Sequence, residues 1–128
     1  MILAETTVAI RYLRTPTTRL QKIIQDQQAA ICGVTLAEVF AGAKKATDLA
    51  QFSTSLGIFG VVPIPLNIWD DLGRNLFLLR KSGFVLPFPD VLLATVAIHH
   101  DLELWTYDAH FPLIQSVLTN LRLFQEPP

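Results

Sequence analysis

Charge is sparse in this sequence, cysteine almost absent, and no apolar run is long. The 128 residues carry 10 Lys+Arg against 11 Asp+Glu, a formal net charge of −1. With a pI near 6.3, that balance excludes a globally basic nucleic-acid binder. It leaves room for nucleic acid at an acidic pocket, because a bound divalent cation reverses the local sign. Cys32 is the one cysteine, so a disulfide framework is excluded and a reducing cytoplasm is expected. Within the apolar run Ala29 to Val34 it is expected to be a small buried hydrophobe. The N-terminus lacks a basic region followed by an apolar segment and a small-residue cleavage site, since Glu5 interrupts the only candidate, so export is not expected.

Hydrophobic residues make up 51% of the chain, with a mean hydropathy of +0.40. The longest apolar stretches, Val91 to Ile98 and Leu56 to Leu66, fall well short of the roughly 18 to 20 residues that span a bilayer. The second is also broken by Gly57, Gly60, Pro63 and Pro65. No membrane partner is expected. A chain of this length buries roughly two-thirds of its unfolded surface in one core, so residues 1–128 are expected to form a single domain. The remaining apolar excess points to contact between chains, with the helices around Ile10 to Leu13 and Ile68 to Leu79 as candidate surfaces.

Strand and helix patterns alternate. Ile2 to Ala4 is too short for a helix and fits a buried strand, followed by a helix carrying Val8, Ile10, Tyr12 and Leu13. Thr15-Pro16-Thr17 breaks the chain before a second helix from about Thr18 to Gln28. A strand at Ala30 to Val34 precedes helices starting at Thr35, through Lys45, and at Thr47, to about Leu56. Val61-Val62 makes a brief third strand. Leu66 to Ser82 then shows a period near 3.6, closed by Gly83. A helix from Asp90 to about His100 leads to a strand at Glu103 to Thr106, a turn at Tyr107 to Phe111, and a last strand near Leu121 to Phe124. Such alternation predicts an α/β fold, a three-layer α/β/α sandwich with a mainly parallel central sheet.

Four carboxylates stand where these elements meet: Glu5, Glu38, Asp90 and Asp108. Each has a plain structural role open to it. Thr35-Leu-Ala-Glu38 matches a capping box, Asp90 after Pro89 suits a helix N-terminus, and Asp108 suits a turn. Glu5 is harder to explain, because glutamate caps poorly and is costly to desolvate beside an apolar strand. Together they suggest more. If the first and fourth strands are neighbours, Glu5 and Asp108 emerge at carboxyl ends of parallel strands, where α/β folds place ligands. Glu38 and Asp90, each on the first turn of its helix, would face the same crevice. Four close carboxylates repel one another unless a cation holds them. Oxygen ligands favour Mg²⁺ or Mn²⁺ over zinc, and such an ion can activate water and neutralise charge developing on a phosphodiester.

The segments Leu3-Ala-Glu-Thr-Thr-Val-Ala-Ile10, Val34-Thr-Leu-Ala-Glu-Val-Phe-Ala-Gly42, Pro89-Asp-Val-Leu-Leu-Ala-Thr-Val-Ala97 and Leu104-Trp-Thr-Tyr-Asp-Ala-His-Phe111 resemble, in order, the four acidic motifs of PIN-domain ribonucleases. The nearest group is the VapC-type toxins of bacterial toxin-antitoxin pairs. The resemblance implies Mg²⁺- or Mn²⁺-dependent endonucleolytic cleavage of RNA, dimerisation, and inhibition by an antitoxin. It also implies that Glu5, Glu38, Asp90 and Asp108 are both catalytic and metal-binding. Thr6 and Thr106 match hydroxyl positions beside the first and last acids and are expected to orient those carboxylates or a water, or else to bond backbone at strand ends. Two departures stand out. The family's first acid is normally aspartate, and a carboxylate one methylene longer would displace the metal or water by up to about one ångström, at a cost of roughly 10²-fold in rate. The residue before Phe111 is often acidic, and here it is His110.

His110 is expected to be a turn residue, or to contact phosphate or act as an acid. Arg11, Arg14, Arg19 and Lys22 form either a solvated face or a basic edge that leads RNA inward. Lys44 and Lys45 have the same two readings. Trp69 is expected in the core or a dimer contact. His99 and His100 lack i,i+4 metal spacing and suit a helix C-terminus. A response-regulator receiver also has an acidic Mg²⁺ pocket, but it needs an aspartate closing the third strand, where this chain has Pro63-Ile-Pro65. The alternative that stays open is a PIN-like module, weakened in catalysis, that binds RNA or a protein partner without cutting.

Overall fold

Short apolar runs build the sheet in the computed structural model, which describes all residues from Met1 to Pro128. β1 (Ile2–Ala4), β2 (Ala29–Ile31), β3 (Gly60–Val61) and β4 (Glu103–Trp105) lie in the order β3-β2-β1-β4, with every pair parallel. Ile2 sits opposite both Ala29 and Glu103, and Ala4 opposite Trp105. Parallel strands need crossovers, and the helices supply them. These are α1 (Thr6–Arg14), α2 (Thr18–Asp26), α3 (Gly33–Ala41), α4 (Ala46–Ser55), α5 (Ile68–Lys81), α6 (Phe88–His99) and α7 (His110–Val117).

The period-2 alternation of strand side chains divides the interior into two cores. Leu3, Ala30, Cys32 and Leu104 point toward α5, α6 and α7, whereas Ile2, Ala4, Ala29, Ile31 and Trp105 point toward α1, α2 and Val39 of α3. The result is the expected three-layer α/β/α sandwich. α6 is buried on every side from Asp90 to Ala97, which is why its sequence shows so little amphipathic contrast. Because Leu3 is wholly buried in the central strand, Leu3→Ala should destabilise the protein by about 2–5 kcal/mol in urea denaturation. A loss under about 1 kcal/mol would contradict close packing there.

Several boundaries differ from the expectation. The second strand ends at Ile31, not Val34, and α3 begins at Gly33, two residues before Thr35. No capping box forms there, and Glu38 falls on the second turn, not the first. Thr35 is fully buried and its hydroxyl accepts from that of Thr6 at 3.3 Å, so a tertiary contact overrides the local pattern. Residues 107–111 are not simply a turn, because α7 starts at His110 with Pro112 in its first turn, where no backbone donor is needed. The last strand reduces to a single parallel bridge between Leu104 and Leu123. Gly83, by contrast, closes α5 as expected. It takes φ +92°, and the amides of Gly83 and Phe84 donate to the carbonyls of Arg80 and Leu79, the pairing of a Schellman motif.

Candidate active site

Glu5 directly follows β1 and precedes α1, so its backbone is fixed from both sides. Its amide donates to the Trp105 carbonyl at 2.9 Å, and its own carbonyl accepts from Val8. The side chain is 3% exposed. Its Oε1 accepts from the hydroxyls of Thr7 at 2.5 Å and Thr106 at 2.6 Å. The Thr7 hydroxyl in turn accepts from the Tyr107 amide at 3.0 Å. β1 and β4 are thus stitched together at their carboxyl ends, the edge from which Glu5 and Asp108 both emerge.

Asp108 is held by its own loop. Its amide donates to Thr106 Oγ1 at 2.9 Å, and its Oδ1 accepts from the His110 amide at 2.9 Å. Asp90 arrives from α6. Pro87 caps that helix and Pro89 occupies its second position, which fixes the chain and leaves Asp90 in the first turn, where the helix dipole favours negative charge. Asp90 Oδ2 lies 2.8 Å from His110 Nδ1. Glu38 is exposed and accepts from Thr6 Oγ1 at 2.7 Å.

These acids lie in one another's field. Burial pushes the Glu5 carboxyl above its ordinary range against the pull of its two hydroxyl partners, and the Asp108 charge adds to the rise. Burial likewise raises Asp90. Its bond to His110 opposes that rise, while the charges of Asp108 and Glu38 reinforce it. His110 is raised in turn, chiefly by that bond, with Asp108, Asp90 and Glu5 adding. His110 is the only basic side chain within 4.0 Å of any of these carboxylates. Donor atoms of Asp90, Asp108 and His110 all lie within 4.8 Å of one another. This donor set fits a divalent cation, because Asp90 is buried beside Asp108 with no lysine or arginine to neutralise either.

Compared with known families, residues 2–116 match the PIN domain. The chain belongs to the PIN domain family. Ribonuclease VapC17 of Mycobacterium tuberculosis is 31% identical over 91 residues, covering 69% of this chain and 68% of the relative. Solved structures share the fold. VapBC2 from Rickettsia felis, bound to a DNA fragment from its promoter, has a TM-score of 0.80 at 21% identity, covering 97% of this chain and 98% of that one. A toxin-antitoxin complex from Klebsiella pneumoniae has a TM-score of 0.65 at 25% identity, covering 88% and 94%. No helix of this PIN domain is long and apolar enough to cross a membrane.

Within this PIN domain the supporting hydroxyls are partly rearranged from the expectation. The Thr106 hydroxyl donates to the first acid, Glu5, and not to its neighbour Asp108, Thr6 serves Glu38, and the second hydroxyl on Glu5 belongs to Thr7. Sequence reasoning missed Thr7 because two adjacent threonines carry no mark of which faces the strand end. Arg11 and Arg19 line one groove, with Tyr107 and Glu126. Arg11 lies over the Tyr107 ring, 4.1 Å from its centroid. Arg19 donates to the Pro127 carbonyl and Lys22 pairs with Asp26. Arg14 is exposed and lines a groove with Glu38 and Lys44. His100 Nε2 lies 2.9 Å from the Pro63 carbonyl, a contact that involves none of the acids. Trp69 is 56% exposed and is not a core residue.

The three raised pKa values share a sign. A folded state that holds protons more tightly than the unfolded chain is most stable below the unfolded values, about 4 for the carboxyls and about 6.5 for imidazole, and loses that stability as pH rises through the folded values. The metal-free protein should therefore show a Tm that falls as pH rises above about 4 for the carboxyls and about 6.5 for His110, measured in a chelator-containing buffer. A flat or rising profile would show that Glu5 and Asp90 are not desolvated.

Proposed function

We propose that this PIN domain is a Mg²⁺- or Mn²⁺-dependent endoribonuclease, the toxin of a toxin-antitoxin pair acting in the cytoplasm. What supports this reading is the gathering of donor atoms of Asp90, Asp108 and His110 within 4.8 Å of one another, with Glu5 in the field of Asp108 and Glu38 in that of Asp90, and no lysine or arginine paired with any of the four acids. Glu5, Glu38, Asp90 and Asp108 would hold the ion. Once bound, a divalent cation supplies an activated water and neutralises charge developing on the phosphodiester. The chain's own part is positional: Thr7 and Thr106 fix Glu5, Thr6 fixes Glu38, and the backbone of α7 fixes Asp108. Without an ion the same acids repel phosphate, so binding of RNA and binding of the cation are coupled.

Relatives solved as toxin-antitoxin complexes support an antitoxin partner. A groove of about 320 Å³ beside Glu38 is lined by Ile10, Leu13, Val39 and Phe52, with Arg14 and Lys44 among its polar residues. It offers an antitoxin segment an apolar seat next to the acids. α5 exposes Trp69 and Phe77, two turns apart on one side across Gly73, apolar surface suited to a homodimer. Light scattering should give twice the chain mass at micromolar concentration, and a monomer would remove the dimer.

Activity is tested by incubating the purified protein with mixed RNA in Mg²⁺, in Mn²⁺, and in chelator. Cleavage with either ion and none in chelator is expected. Retained RNA binding with no cleavage under any ion would favour the non-cutting module.

A further inference from the structure

One donor in the acidic cleft is not an oxygen. The ring of His110 stands at the first position of α7, with Nδ1 2.8 Å from Asp90 Oδ2 and 3.4 Å from Asp108 Oδ1. Its place is set by backbone as well as by side chain. The His110 amide donates to Asp108 Oδ1, and the next residue, Phe111, is wholly buried in the core and anchors the start of the helix. An ion bound about 2.1 Å from cis ligands of an octahedron sets those ligand atoms about 3.0 Å apart. The two His110 distances straddle that spacing. A nitrogen so placed discriminates between cations, because Mg²⁺ takes oxygen almost exclusively, whereas Mn²⁺, itself suited to oxygen, is a transition ion that accepts an imidazole nitrogen more readily than Mg²⁺ does.

We propose that His110 ligates the site's cation through Nδ1, beside Asp90 and Asp108, and that this nitrogen makes the site select Mn²⁺ over Mg²⁺. The proposal rests on the reading of these acids as a cation site. It gives the departure at this position a chemical consequence: one carboxylate fewer, one imidazole more, and a changed metal preference. His110 is partly exposed, so replacing it leaves the cores untouched.

The test is binding, independent of cleavage. Mn²⁺ and Mg²⁺ are titrated calorimetrically into the full chain and into its His110→Ala and His110→Asp variants. Pulsed electron paramagnetic resonance is recorded on the Mn²⁺-loaded protein with ¹⁵N-labelled histidine. Wild type should bind Mn²⁺ at least about tenfold more tightly than Mg²⁺, and His110→Ala should lose roughly tenfold or more of the Mn²⁺ affinity, the scale on which groups around a bound metal act. His110→Asp should bind Mg²⁺ more tightly than wild type does. A histidine ¹⁵N coupling should be present in wild type and absent from His110→Ala, which still contains His99 and His100. Mn²⁺ binding without that coupling, and unweakened in His110→Ala, would overturn the assignment of His110 while leaving the carboxylate site standing. Failure of wild type to bind either ion would overturn the cation site itself, and this proposal with it.

Discussion

Asp90→Asn should lower RNA cleavage by about 10³-fold or more, because a cation's stabilisation of the transition state is worth several kcal/mol and each 1.4 kcal/mol is tenfold in rate. The same substitution should raise the Tm of the metal-free protein at neutral pH. Asp90 is 9% exposed, and burial together with the charges of Asp108 and Glu38 makes its ionised form unfavourable. Asparagine removes that charge, while its amide oxygen can still accept from His110. Higher stability with lost activity is the signature of a residue kept for function against its own folding interest. Millimolar Mn²⁺ should raise the Tm of wild type by mass action and that of the variant much less. A variant that is both inactive and less stable than wild type would instead make Asp90 a structural residue.

Glu5→Asp should lower cleavage, the reverse of what the family pattern suggests on sequence alone. A shorter first carboxylate restores the usual residue type, and by that reasoning it should restore activity. The structure changes the sign. The backbone at Glu5 is pinned by its amide to Trp105, and Oε1 accepts from both Thr7 and Thr106. An aspartate on the same backbone falls about one ångström short of both hydroxyls, and misplacement on that scale costs roughly 10²-fold in rate. Glu5→Ala should abolish cleavage with the fold intact. If Glu5→Asp cuts faster than wild type, the two hydroxyls do not position the carboxylate for catalysis.

Much of this arrangement is legible in the residues. Pro16 and its threonines mark the break between α1 and α2, short apolar runs alternating with helical patterns imply a parallel sheet, and acids at element ends imply a shared edge. The misreadings have physical causes. Thr35 and Glu38 look like a capping box in text, but α3 starts earlier because Thr6, twenty-nine residues away from Thr35, engages both side chains. α7 is masked by Pro112, which resembles a helix breaker until the helix is known to begin at His110. The role of Thr7 depends on the direction in which the chain leaves β1, and that of His110 on the approach of α6 to α7. Neither is encoded by spacing along the chain.

If these carboxylates jointly hold one divalent cation, anomalous diffraction from crystals soaked in millimolar Mn²⁺ will locate it. A manganese peak is expected in the cleft between Glu5, Asp90 and Asp108, about 2.2 Å from carboxylate oxygens of at least the two aspartates. A peak elsewhere on the molecule, or none in the cleft at that concentration, would contradict that joint binding.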